Sequence, residues 1–117
     1  MKKVSKVEIN KSFGKILREY RIKNNLTQDN LAEKLGISIK YISRVENGVS
    51  GLKNQTLIKC MNILGITPNV LFQDFISNKK LTKDIELANK ISSLSDKKKI
   101  FILKTLDVLE NTNEENL

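Results

Sequence analysis

The sequence predicts an all-α protein in which a five-helix domain is followed by a helical pair. Its 117 residues include one Pro and five Gly, few breaks for a chain of this length. Apolar side chains recur at spacings of three and four almost throughout, and no segment alternates apolar with polar in the manner of a strand. The length suits one ordinary domain, or a small one with an appendage, and excludes a large fold such as a (β/α)8 barrel. There is no His and no Trp. The commonest general base and commonest metal ligand are therefore missing, which speaks against metal hydrolysis and triad catalysis.

The elements follow in order. Phe13, Ile16, Leu17 and Tyr20 line the inner face of a first helix over about residues 10–24, with Asn10 or Ser12 as its cap. Asn24 and Asn25 end it. Thr27 caps a second, shorter helix that turns Leu31, Ala32 and Leu35 inward, and Gly36 stops it by supplying a left-handed residue. Ser38 restarts the chain as the cap of a third helix with Ile42 and Val45 inside and Asn47-Gly48 at its end. Two short helices joined by so tight a turn must cross steeply, which is a helix-turn-helix geometry.

After a loop over residues 49–54, a fourth helix runs to Leu64 and ends at Gly65. Thr67-Pro68 opens a fifth, whose apolar side chains are Leu71, Phe72 and Phe75. Residues 78–82 read as a hinge. A sixth helix follows over about residues 82–93 with Ile85, Ala88 and Ile91 along one side, and Ser95 caps a seventh that extends to about Glu110. The expected organisation is a flexible basic segment at 1–8, a domain at 9–76, a linker at 77–81 and a helical segment at 82–117.

In the seventh helix Ile100, Phe101, Leu103, Leu106 and Leu109, with Ile102 and Val108, cover more of the circumference than one packing partner would. Two short helices cannot bury such a surface alone. Together with Ile85, Ala88 and Ile91 these residues are expected to form a homodimer interface, the alternative being docking onto residues 1–76.

Charge is unevenly placed. Residues 1–80 carry 15 basic and 6 acidic side chains, a net of +9, whereas residues 81–117 carry 6 and 7, a net of −1. A polyanionic partner is therefore expected on the first segment. No apolar run approaches a membrane span and no signal-peptide core follows Met1, so a cytoplasmic protein is expected. Cys60 is the single cysteine, which excludes an internal disulfide and a multi-cysteine metal site. It shares a helical face with Leu57, Met61 and Leu64 and is expected to be a buried structural thiol.

The run Thr27-Gln-Asp-Asn-Leu-Ala-Glu-Lys-Leu-Gly-Ile-Ser-Ile-Lys-Tyr-Ile-Ser-Arg-Val-Glu-Asn-Gly48 closely resembles the helix-turn-helix of the Cro/cI repressor family, also called the Xre family. The likeness extends back through Phe13-Gly14 to Arg21 and forward to Leu64-Gly65, covering about residues 9–76. It implies a lambda-repressor-like domain that binds double-stranded DNA. By the same resemblance Gln28 and Asn47 match positions that hold backbone phosphates. Ser38, Ile39, Lys40, Ser43 and Arg44 match the positions that read bases. Arg44 would offer a bidentate fork to guanine, Lys40 a looser contact, and Ile39 a surface for a thymine methyl. Arg21 and Glu46 match a structural ion pair.

Tyr41 is assigned to packing or phosphate contact, and Lys53, Asn54 and Gln55 to further phosphate contacts where the fourth helix begins. The sequence departs from the usual family pattern at Leu52, often Pro, and at Asn54, often apolar, which leaves that loop's path open. Lys2, Lys3 and Lys6 suggest a basic arm along DNA or a solvated start. The expected function is a dimeric, nucleoid-associated repressor acting on an inverted-repeat operator, without cofactor, metal or enzymatic activity. The alternative is an interaction module or antitoxin, with a small-protein antagonist or a toxin as partner of the last two helices.

Overall fold

Seven α-helices and no strand make up residues 4–116, the part of the chain described by the computed structural model. The chain divides into two units, residues 1–77 and 78–117.

In the first unit α1 spans Lys6–Lys23, four residues earlier than the apolar pattern indicates. Ser5 rather than Asn10 or Ser12 is its cap, its hydroxyl accepting from the Glu8 amide at 3.1 Å. The expected flexible segment thus loses Lys6, Val7 and Glu8 to the helix, while Lys2 and Lys3 lie outside the described residues. The helix ends as Asn24 donates its side-chain amide to the carbonyls of Tyr20 and Leu64, tying α1 to the end of α4.

α2 spans Gln28–Leu35 and α3 spans Ile39–Glu46. Thr27 and Asn30 form a reciprocal capping box, the Thr27 hydroxyl accepting from the Asn30 amide and the Asn30 side chain from the Thr27 amide. Gly36 closes α2 at φ 70°, in the left-handed region, so that Ser38 caps α3 with almost no connecting chain. α4 spans Asn54–Leu64, one residue longer than expected, and its cap residue Lys53 makes no side-chain capping bond. α5 spans Pro68–Phe72 under a Thr67 cap and runs into a 3-10 turn at Gln73–Phe75.

The core lies between these helices and includes Leu17, Leu31, Ala32, Leu35, Ile42 and Val45 with Leu64, Ile66 and Leu71. Phe13 and Phe72 close one side edge to face, centroids 5.4 Å apart, bringing α1 to α5. Cys60 is fully buried, as its helical face indicated. Burial, helped by the nearby Glu46 carboxylate, pushes its thiol up to about 12, so it stays protonated at neutral pH. α1 approaches the end of α3 closely at Gly14. A Cβ on Gly14 would run into the Val45 carbonyl oxygen and lie 3.0 Å from that of Glu46. Only glycine admits this contact without moving backbone.

In the second unit α6 spans Lys79–Ser92 and α7 spans Asp96–Glu110. The expected hinge is mostly helix, because the Asn78 side chain accepts from the amides of Lys80 and Leu81 and starts α6 there. Only Ser77 and Asn78 of the expected linker remain outside a helix. Ser95 caps α7 as expected, and Glu114–Asn116 forms a 3-10 turn after it.

Gly14→Ala is expected to lower the unfolding free energy by about 3 kcal/mol, since relief requires α1 and α3 to separate. Urea titration followed by circular dichroism would measure it, and an unchanged midpoint would contradict the close approach.

Candidate nucleic-acid interface

α3 is sharply two-sided. Ile42 is 0% and Val45 2% exposed, anchoring one face in the core. Outside the core Ile39, Lys40 and Arg44 are exposed and Ser43 is half-buried. Lys40 and Arg44 lie one helical turn apart and so project from the same side. The Arg44 Nε donates to the Ser50 hydroxyl at 3.3 Å, which leaves both terminal nitrogens free to form an end-on fork. Ser38 differs from the other expected readers, because its hydroxyl oxygen accepts from the Tyr41 amide as the cap of α3.

The end of α3 is fastened by Glu46. Arg21 meets its carboxylate side-on, Nε to Oε2 at 2.7 Å and Nη2 to Oε1 at 3.0 Å, with the two side chains 11% and 2% exposed. Arg21 Nη1 also donates to the Leu26 carbonyl at 2.8 Å, which binds in the α1–α2 turn. This is the ion pair that the resemblance implied. A third donor was not legible in the sequence: Gln28, the first residue of α2, gives its Nε2 to Glu46 Oε1 at 3.2 Å.

All but one of the remaining expected phosphate residues follow α3 in the chain. Asn47 caps its carboxyl end with an exposed side chain, and Lys53, Asn54 and Gln55 are exposed at the start of α4. Tyr41 is half-buried against the core, and its hydroxyl donates to the Gly51 carbonyl at 2.6 Å. Its proton is thereby committed to the loop over residues 49–53. Ser50 and Gly51, which meet Arg44 and Tyr41, were missed because nothing in that loop's sequence signals its path.

The second unit offers a different surface. Ile85, Ala88 and Ile91 of α6 are half-buried, while Ile100, Phe101, Leu103, Leu106 and Leu109 of α7 are exposed, Phe101 by 69%. Among the described residues no group of three His, Cys, Asp or Glu is placed to hold a metal ion, and no helix is long and apolar enough to cross a membrane.

The chain is similar to known helix-turn-helix proteins. The family profile HTH_3, helix-turn-helix, matches residues 17–71. The Clp gene regulator ClgR from Corynebacterium glutamicum is similar in two crystal structures. One is 28% identical with a TM-score of 0.51, over 55% of this chain and 83% of that one. The other is 25% identical with a TM-score of 0.53, over 71% and 89%. The restriction-modification controller protein C.AhdI from Aeromonas hydrophila is 33% identical over 54% of this chain and 96% of its own, with a TM-score of 0.49. No curated protein matches the chain.

Arg21→Met leaves the Glu46 carboxylate buried without its cation, and the expected cost is about 3–5 kcal/mol of folding stability. Chemical denaturation of the variant checks this, a loss below about 1 kcal/mol being incompatible with a desolvated pair.

Proposed function

We propose that the chain, whose residues 17–71 match the HTH_3 helix-turn-helix family of DNA-binding transcription regulators, is a dimeric repressor acting on an inverted-repeat operator. One observation supports this reading above the others. The side chains of α3 left outside the core, Ile39, Lys40 and Arg44 exposed and Ser43 half-buried, lie in the segment that holds the +9 charge.

In the proposed complex α3 enters the major groove and Arg44 offers its terminal nitrogens to guanine O6 and N7, while Lys40 reaches a neighbouring base more loosely. Ile39 meets a thymine methyl. Ser43 and Ser38 are the minor readers, Ser38 because its oxygen is already engaged. Gln28, Asn47, Lys53, Asn54 and Gln55 hold phosphates and set the register. Tyr41 leaves that set, since its hydroxyl proton is given to Gly51, and serves to shape the loop that presents Lys53.

Dimerisation is assigned to α6 and α7. Their exposed apolar side chains ask for a partner, and a two-fold mate would place a second α3 about 34–36 Å away in the next major groove. Occlusion of a promoter in the cytoplasm then suffices for repression, with no enzymatic step. A second reading is favoured by the same exposed surface of α7. In it the last two helices bind another protein, an antagonist or a toxin, and DNA binding serves mainly autoregulation.

Titration of duplex DNA at rising salt tests the main reading, because counterion release should make affinity fall steeply. Arg44→Ala is expected to relax preference at one base pair per half-site, whereas Lys53→Ala should weaken all sequences alike and make the salt dependence shallower by about one counterion. A flat salt response would favour the interaction module.

Truncation after Ser77 should leave a folded monomer with operator affinity lower by about two orders of magnitude or more, since linked half-sites bind through effective concentration. Light scattering on both forms, with operator titration, would show it. A truncated chain that remains dimeric would move the interface out of α6 and α7.

A further inference from the structure

The phosphate-holding amide of Gln28 is not left to find its own orientation. Its nitrogen lies 3.2 Å from Glu46 Oε1, the same oxygen that accepts from Arg21 Nη2 at 3.0 Å. A carboxylate only accepts, so the nitrogen of the amide must face it and the amide oxygen must not. That nitrogen carries two hydrogens. One is given to Glu46, and the second remains for an external acceptor.

We infer that Glu46 is a positioning residue for DNA binding, which aims the second N–H of Gln28 at a backbone phosphate while Arg21 cancels the negative charge that would otherwise repel that phosphate. This rests on the assignment of Gln28 as a phosphate donor made above. The carboxylate is suited to the task because its side chain is 2% exposed and cannot swing out to solvent. It is itself held on both oxygens by Arg21, whose third nitrogen is anchored on the Leu26 carbonyl at 2.8 Å. The order thus passes from the α1–α2 turn through Arg21 and Glu46 to the first residue of α2. A glutamine with free rotamers would lose that freedom on meeting DNA, whereas one already fixed does not. The bond also links the two helices of the motif: the donor on α2 is registered against the last residue of α3, so phosphate anchor and base-reading face keep one geometry.

A purely structural role, in which Gln28 merely completes the bonding of a buried carboxylate, makes a different prediction. The test is a double-mutant cycle on the full chain with random-sequence duplex DNA, using Gln28→Met, Glu46→Gln and the pair, each verified as folded by thermal melting. Gln28→Met should weaken binding about tenfold, the loss of a hydrogen bond to a charged acceptor. Glu46→Gln removes one negative charge and so favours DNA equally in both backgrounds, a contribution that cancels in the cycle. What remains is the coupling: Glu46→Gln should be about fivefold more damaging with Gln28 present than with Met at that position. Equal effects in both backgrounds overturn the inference and leave the DNA-binding reading intact, whereas a wild-type chain with no affinity for duplex sinks both.

Should Glu46→Gln fail to fold, the wild-type chain decides. In its nitrogen-15 spectrum the two Gln28 side-chain amide protons should be widely split in the free protein, and one of them should shift on adding duplex. Resonances at the positions of a solvated glutamine would overturn the inference.

Discussion

The Arg21–Glu46 pair is the contact on which the arrangement of the domain depends. A desolvated ion pair adds little net stability over a well-packed apolar contact, because removing two charges from water costs about what their attraction returns. Its value is positional. The guanidinium is planar and the carboxylate meets it side-on, so distance and angle are both set, and the two groups belong to α1 and to the last residue of α3. Gly14 lets the same two helices close to backbone contact one side of this pair. The ion pair would be too long with α1 held off, and the close approach would be undirected without the ion pair. Between them they fix the axis about which α3 presents its outer face.

The interior of this domain was largely legible in the sequence because each boundary is marked by chemistry local to it. Thr27, Ser38 and Thr67 are caps that stand next to apolar periodicity, and Gly36 and Gly65 close the helices they follow. The misjudged starts share a cause. Ser5 precedes Lys6-Val-Glu8, and Asn78 precedes Lys79-Lys80, so each cap introduces a first turn that is mostly charged and shows no apolar spacing. The capping bonds form regardless, and the exposed turn needs no apolar face.

The outward side of α3 could be read because the inner positions are claimed by Ile42 and Val45, leaving the others by elimination. Side-chain bonds across elements could not. Tyr41 to Gly51, Arg44 to Ser50 and Gln28 to Glu46 each depend on how a loop or a neighbouring helix is laid down in space. The two units also spend apolar surface differently. Residues 1–77 hold the entire buried core among the described residues, whereas Phe101, Leu103 and Val108 of α7 stay more than half exposed. One unit is strongly basic with a packed interior, and the other is near-neutral with exposed apolar surface.

The division of labour within α3 bears on how such a protein changes over generations. Ile39 and Lys40 form no side-chain bond that holds the scaffold, and Arg44 forms only one exposed bond to a neighbouring serine. Replacements at these positions leave the caps, the ion pair and the core untouched, so they carry almost no folding penalty. On the proposed function, in which these side chains meet bases, duplicated copies of the gene can therefore drift in which DNA they prefer while their architecture stays under selection. On that proposal the two-sidedness of one eight-residue helix separates heritable variation in target choice from the inheritance of the fold.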